Sequence, residues 1–184
     1  TEAVPNVNAG NTRVPNATGD YTILAYNYNP VVADASFTYT LDHFPLYERP
    51  FPISLGGEYV YNPAAEGDNY GYSVGIRFGK ASKRNTWEVS YQWKYLGADA
   101  WYAEVTDSDF GAFYETAAPS AGVSSANRYR SGTNTRGHVV RVRYAPLDFL
   151  LLTGKWFLTD LINPSPDGSD SAMNRVQVDA ALKF

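Results

Sequence analysis

Two histidines and a pair of aspartates are the side chains of this sequence that could most readily take part in chemistry. His43 and His138 each lie near the end of a strand-like segment, and no pattern connects either of them to a serine and an aspartate, as a catalytic triad requires. Packing at a strand end is the favoured interpretation of both. Cysteine is absent, which excludes thiol catalysis, disulfides and cysteine-ligated metals. We predict no catalytic residues, no metal site, no cofactor and no enzyme activity.

Asp107 and Asp109 stand two positions apart in a long segment without strand-like periodicity. Carboxylate oxygens bind hard cations, but two carboxylates without the tight glycine of an EF-type loop do not make a calcium site. A second use is favoured, in which the segment folds back into the interior of the molecule and narrows it. Asp107 and Asp109 would then face Arg141, Arg143 and Lys155 and form a loop constriction.

Most other charged side chains fall at every second position of strand-like segments, with Ser, Thr, Gly and Gln at many of the remaining positions of the same set. Successive side chains of a strand point to opposite faces, so these charges share one face, which we predict to line a pore. The predicted pore-lining residues are Glu58, Arg77, Glu88, Lys94, Arg141, Arg143, Lys155, Arg175 and Asp179. In a wide barrel such mixed charges hold water and set ion preference, whereas in a narrow barrel they would pair and fill the interior.

About eight strand-like segments must position these charges, each near the length that a tilted membrane strand needs. They span residues 20–28, 34–43, 52–62, 70–79, 86–96, 137–144, 149–159 and 175–184. Residues 1–19 show no periodicity and are predicted to be an irregular N-terminal segment or loop, so that the strands occupy residues 20–184. Connections alternate between short and long, and the longest is a predicted outer loop over about residues 97–136. Such an asymmetry is typical of outer-membrane barrels.

The second face of these segments carries no charge and is rich in aromatic residues. The chain has 15 Tyr, 9 Phe and 4 Trp, and several of them, such as Tyr59, Tyr61 and Trp156, fall near strand ends. Aromatic belts of this kind are typical of the two lipid–water boundaries. A soluble β-sandwich also alternates, but its core prefers Val, Ile and Leu at such positions. The pattern predicts a face in contact with lipid and lipopolysaccharide of the bacterial outer membrane.

The overall composition is compatible with this prediction and argues against other classes. The 184 residues contain no run of about 18 apolar residues, so no transmembrane helix is predicted. The mean hydropathy is only −0.35, as expected where lipid-facing and water-facing residues alternate. The net charge of −4 argues against nucleic acid as a partner.

The last predicted strand ends in a pattern that resembles the signal read by the barrel-assembly machinery of bacterial outer membranes. It consists of alternating apolar residues that lead to a terminal phenylalanine. The predicted assembly-signal residues are Val176, Val178, Ala180, Leu182 and Phe184. The resemblance implies that the assembly machinery is a partner of the chain.

A series of short motifs carries a second resemblance. In order, they are Glu58-Tyr59-Val60-Tyr61-Asn62, Asp68-Asn69-Tyr70-Gly71-Tyr72, Phe78-Gly79-Lys80-Ala81, Trp87-Glu88-Val89, Ala98-Asp99-Ala100 and Thr106-Asp107-Ser108-Asp109-Phe110-Gly111. This order resembles the C-terminal region of the bacterial "putative porin" family over residues 50–184. Where that family has a short glycine-rich loop after the last motif, this chain has a longer Ser/Ala/Arg segment over about residues 112–136.

The resemblance implies an all-β fold, an antiparallel transmembrane β-barrel to which this chain contributes about eight strands. It favours the C-terminal half of a larger, roughly 16-stranded barrel, and a complete eight-stranded barrel is the alternative. The implied function is an outer-membrane porin for passive diffusion of small hydrophilic solutes or ions. The alternative is a closed scaffold barrel whose outer loops act as an adhesin or as a sheath for a partner protein. The sequence leaves open whether such barrels form a homotrimer.

Overall fold

The computed structural model describes residues 10–19, 23–106, 109–111, 132–163 and 172–182. This part of the chain is built from β-strands and one 3₁₀ turn, Ala103–Val105. In chain order the strands are β1 Arg13–Val14, β2 Ile23–Leu24, β3 Val31–Leu41, β4 Phe51–Tyr61, β5 Tyr70–Gly79, β6 Thr86–Leu96, β7 Thr135–Leu147, β8 Leu150–Leu161 and β9 Met173–Leu182. No helix among the described residues has the length and apolar character needed to cross a membrane.

Strands β3 to β9 form one seven-stranded sheet in which each strand pairs with the next one along the chain. Every pairing is antiparallel, so the predicted all-β antiparallel fold is confirmed. Short connections at 42–50, 80–85 and 148–149 lie at one end of the sheet, which we call the turn end. The opposite, loop end carries the connections 62–69, 97–134 and 162–172. Among the described strands the sheet is open, because β3 and β9 do not pair with each other.

The sheet has seven strands, whereas the sequence predicted about eight. Of the segment predicted at 20–28, the described part forms only β2, which pairs with β1 in a separate two-stranded sheet. Asn27, which follows β2, lies at the loop end instead, where its backbone carbonyl accepts a hydrogen bond from the Asn62 side-chain amide. Alternation in this segment was also weak, because apolar residues fall at both parities. The predicted irregular segment 1–19 contains β1.

Register brings the predicted faces of all seven strands together. Tyr59 pairs with Tyr72, which pairs in turn with Tyr95. Most of the remaining residues of the predicted apolar faces pair with one another in the same way. We call this side of the sheet the apolar face and the opposite side the polar face. The apolar face ends at Arg136, which is opposite both Tyr95 and Asp160, because β7 and β8 extend beyond their predicted ends.

Large side chains of the apolar face remain exposed. Phe37 on β3 is 67 % exposed, Leu55 on β4 is 54 % exposed and Val178 on β9 is 79 % exposed. Soluble monomers rarely leave an apolar surface that crosses a whole sheet in contact with water. The core of the described chain is correspondingly small and lies mainly at the two ends of the sheet.

An aromatic cluster covers the apolar face at the turn end. The Phe44 and Phe51 rings stack with centroids 3.9 Å apart, and Tyr47 and Trp87 pack edge-on around them. Phe51 is fully buried as a result. The Trp87 indole Nε1 donates to the Leu46 carbonyl at 3.0 Å, which fixes the connection between β3 and β4 against β6.

Candidate functional site

The polar face of β3 to β8 lines an open, concave cavity of about 450 Å³. Five of the nine predicted pore-lining residues contribute to its wall, namely Glu58, Arg77, Lys94, Arg141 and Lys155. About half of the other wall positions are Ser, Gly or Gln. Gly56 and Gly75 have no side chain that could fill the space. The cavity wall is therefore a polar, charged surface on the back of the exposed apolar face.

One row of cross-strand neighbours crosses this face from β3 to β9, and we call it the basic row. Its members are Thr38, Ser54, Arg77, Ser90, Arg141, Lys155 and Gln177. The row contains three cations and no carboxylate. The sequence pattern predicted each cation to face inward, but the shared height of the three depends on the register of three strand pairs, β5 with β6, β6 with β7 and β7 with β8.

Hydrogen bonds hold the first cation of this row in place. The Arg77 Nη2 donates to the Ser54 hydroxyl at 3.2 Å, and the Ser54 and Thr38 hydroxyls are 2.9 Å apart. Ser54 is buried, so it can be an acceptor for Arg77 that water does not readily replace. This arrangement orients one guanidinium along the wall.

Glu88 and Arg143 form an ion pair one row closer to the turn end. Their side chains are directly opposite each other on β6 and β7, with Arg143 Nη1 3.5 Å from Glu88 Oε1. The Glu88 side chain is only 3 % exposed, so removal of Arg143 would leave a buried carboxylate without a cation. Both were predicted to line a pore, and the structure places them at the edge of the charged surface as a neutral pair.

Asp109 lies against the polar face, where it contacts cations of β8 and β9. Its Oδ2 is 3.6 Å from Lys155 Nζ, and its Oδ1 is 3.1 Å from Arg175 Nη2. The contact with Lys155 is the one that sequence analysis expected. Arg175, which the sequence pattern did not indicate as a partner, is in reach of Asp109 because β9 is the neighbour of β8. The expected approach of Asp109 to Arg141 and Arg143 stays a prediction.

The residues around Asp109 keep this part of the connection on the polar face. Phe110 is 1 % exposed, and the Lys94 ammonium lies 4.6 Å from the centre of its ring. Gly111 has a φ of +79° and its Cα faces Thr135 so closely that a Cβ would collide with that side chain. Asp107 lies outside the described residues, and a constriction formed by both aspartates stays a prediction.

The loop end is held by buried polar side chains that sequence analysis did not single out. The Asn11 amide donates to the Ala98 and Trp101 carbonyls at 2.6 and 2.7 Å, and its oxygen accepts from the Ala103 N–H at 2.8 Å. Asn11 is 1 % exposed. A lone asparagine in a segment without periodicity gives no sequence signal for such a role.

Asp99 connects the same N-terminal segment to the connection between β6 and β7. Its Oδ1 accepts from the Thr12 N–H at 3.0 Å and from the Tyr28 hydroxyl at 2.9 Å. Burial, reinforced by the hydrogen bond to Asp99, raises the pKa of Tyr28 well above its ordinary value of 10.0. Tyr28 therefore stays protonated and donates to Asp99 across the physiological range.

The remaining predicted residues lie apart from the cavity. Asp179 is exposed on β9 and faces Thr153. The described assembly-signal residues share the exposed apolar face of β9, and Phe184 lies outside the described residues. They are Val176, Val178, Ala180 and Leu182. Recognition of these residues by the barrel-assembly machinery stays a prediction.

His138 packs against aromatic side chains of β6. His138 Nδ1 is 2.9 Å from the Tyr91 hydroxyl, and its ring packs edge-on against Trp93 on the apolar face, which is the strand-end packing expected from the sequence. Within the described ranges no group of three His, Cys, Asp or Glu side chains could hold a metal ion.

Comparisons with protein-family models, with curated proteins and with solved structures find no match to this chain. The resemblance of residues 50–184 to a porin family therefore stays a prediction. The features of this chain that bear on its function are the geometry and chemistry of the two faces of the sheet.

Proposed function

We propose that this chain forms part of the wall of an outer-membrane channel through which small hydrophilic solutes diffuse passively. One observation carries the proposal: a single sheet has an exposed apolar face on one side, whose only charges among the described strands, Arg136 and Asp160, lie at its loop end, and a charged cavity wall on the other. A lipid-facing surface backed by a water-facing surface is the arrangement that a porin wall requires. No cofactor or energy source takes part.

Strand length supports the proposal. The seven sheet strands contain 10 to 13 residues each. At a tilt of about 45° and a rise of about 3.4 Å per residue, an 11-residue strand spans about 26 Å of membrane. The apolar band of an outer-membrane barrel is about 25 Å tall, so these strands have the length to cross it once.

The number of strands and the open edges of the sheet indicate the size of the proposed channel. Seven strands are fewer than the eight that enclose an interior just filled by side chains, whereas 16 to 18 leave an aqueous channel. The two open edges, β3 and β9, would pair with strands outside this chain. A barrel of roughly 16 strands, embedded in outer-membrane lipid and lipopolysaccharide and inserted by the barrel-assembly machinery, accommodates both the edges and the charged cavity wall.

Single-channel conductance of the full-length protein in a planar bilayer tests the proposal. Stable current steps that grow in proportion to salt concentration are expected, because the lumen would be filled with water. Protein that is shown to be folded and inserted but carries no current would overturn the channel. That outcome would favour a closed scaffold barrel that acts through its outer loops.

A further inference from the structure

The basic row concentrates positive charge on one strip of the cavity wall. Arg141 and Lys155 are direct cross-strand partners on the polar face, and Arg77 lies in the same row, separated from Arg141 by the single residue Ser90. Like charges directly opposite each other destabilise a sheet. All three cations line the cavity of about 450 Å³, so a ligand in this cavity would meet them together.

The nearby carboxylates are paired with cations other than Arg77 and Arg141. Glu88 is paired with Arg143 in the next row toward the turn end. Asp109 is shared between Lys155 and Arg175, so one carboxylate serves two cations. In the described chain no ion pair is formed by Arg77 or Arg141.

Arg141 also has donor capacity that the fold leaves unused. Its Nε is buried and has no hydrogen-bond partner among the described residues. A buried donor without an acceptor costs free energy, and the cost is larger for a charged group. An oxygen-bearing anion in the cavity would supply the missing acceptor and would reduce the repulsion between Arg141 and Lys155.

The acidic residues of the cavity wall lie two rows away from the basic row, toward the loop end. Asp34 and Glu58 are direct partners on β3 and β4, and Glu58 is four residues along β4 from Ser54, the member of the basic row on that strand. Four residues correspond to about 13 Å along a strand. That distance exceeds the screening length of about 8 Å at physiological ionic strength.

We propose that Arg77, Arg141 and Lys155 form a weak binding site for small dissolved oxyanions that carry carboxylate or phosphate groups. Guanidinium groups present planar pairs of N–H donors that match both kinds of oxyanion, and the lysine adds a mobile point charge. The same site would make the channel anion-selective, and this consequence rests on the proposed function. Binding itself requires only the folded polar face.

Ion selectivity of the full-length protein is the first test. Under a KCl gradient in a planar bilayer, the reversal potential should show preferred passage of chloride, and added phosphate should reduce the chloride current in a saturable way. The double variant Arg77→Gln/Arg141→Gln should weaken the phosphate effect by roughly tenfold, because charge-assisted hydrogen bonds are lost. Arg136→Gln is the matched control, since Arg136 is exposed on the opposite face of the same strand.

Phosphate binding to the folded, detergent-solubilised full-length protein is the second test, measured by isothermal titration calorimetry at low salt. Binding that the double variant weakens and the Arg136→Gln control leaves unchanged supports the site even when no current is observed, and in that case only the channel fails. Cation-selective current overturns the selectivity. Absence of phosphate binding, or binding that the double variant leaves unchanged, overturns the site itself.

Discussion

At the scale of single residues, Gly79 combines a positive φ with a close approach to neighbouring atoms. Its φ is +71° at the end of β5, and a Cβ there would collide with the Trp87 carbonyl oxygen and lie 3.1 Å from the Phe51 ring. Both obstacles belong to the turn-end region that fixes the connection between β3 and β4. Only glycine can occupy this position without moving that region.

We expect Gly79→Ala to lower the stability of the folded protein by about 1–3 kcal/mol, the cost of a strained backbone conformation. Chemical unfolding of the full-length protein in detergent, followed by tryptophan fluorescence, measures the effect. Gly154→Ala is the control, because nothing lies within 4 Å of a Cβ at that strand position. Equal stability of the two variants would contradict the steric argument.

Tyr28 makes a pH-dependent contribution to the stability of the folded N-terminal segment. Because the folded state raises its pKa above 10.0, folding favours the protonated phenol; its contribution is complete below about pH 10 and is lost as the pH rises further. Tyr28→Phe should therefore destabilise the N-terminal segment at pH 8, by about 1.5 kcal/mol for a hydrogen bond to a carboxylate. The difference between wild type and variant should narrow above pH 10, as measured by limited proteolysis near residues 10–30. A difference that is constant with pH would contradict this assignment.

At the scale of elements, the register of β6 and β7 decides which charges neutralise each other. Glu88 is almost fully buried and depends on Arg143, whereas the next pair along the same strands, Ser90 and Arg141, has no carboxylate. The sequence pattern placed the three charged side chains, Glu88, Arg141 and Arg143, on one face. It could not separate the neutral pair from the unbalanced row, because that distinction requires the strand pairing.

Arg143→Gln alone should destabilise the protein more than the double variant Glu88→Gln/Arg143→Gln. The single change leaves a buried carboxylate without its cation, at a cost of about 1–3 kcal/mol given the partial exposure of Arg143. A double-mutant cycle measured by chemical unfolding gives the coupling. A double variant that is less stable than Arg143→Gln would show that the ion pair is not what holds Glu88.

At the scale of the whole molecule, the two faces of the sheet predict opposite responses to the same substitution. Val74 is 47 % exposed on the apolar face, and its neighbour Ser73 lines the cavity. In water a lysine at either position would be tolerated. In a membrane the lysine on the lipid-facing side is penalised.

Val74→Lys should therefore reduce the stability of the bilayer-inserted protein by about 2–4 kcal/mol. Ser73→Lys should cost less, because its ammonium would lie in water and face Glu58 across β4 as well as Lys94 across β6. Reversible folding of the full-length protein into lipid vesicles, followed by heat-modifiable gel mobility, measures both variants. Equal folding of the two would count against a lipid-facing surface and hence against the proposed channel.

Alternation along the chain determined the all-β antiparallel architecture, the two faces and most strand limits, because neighbouring side chains of a strand point to opposite sides whatever they pair with. Only the tertiary structure decided the seven-strand sheet, the partners of Asp109 and the common height of Arg77, Arg141 and Lys155. It also decided the buried position of Asn11, which contacts residues 87 to 92 positions away. These features depend on register and on long-range contacts, and a local pattern contains neither.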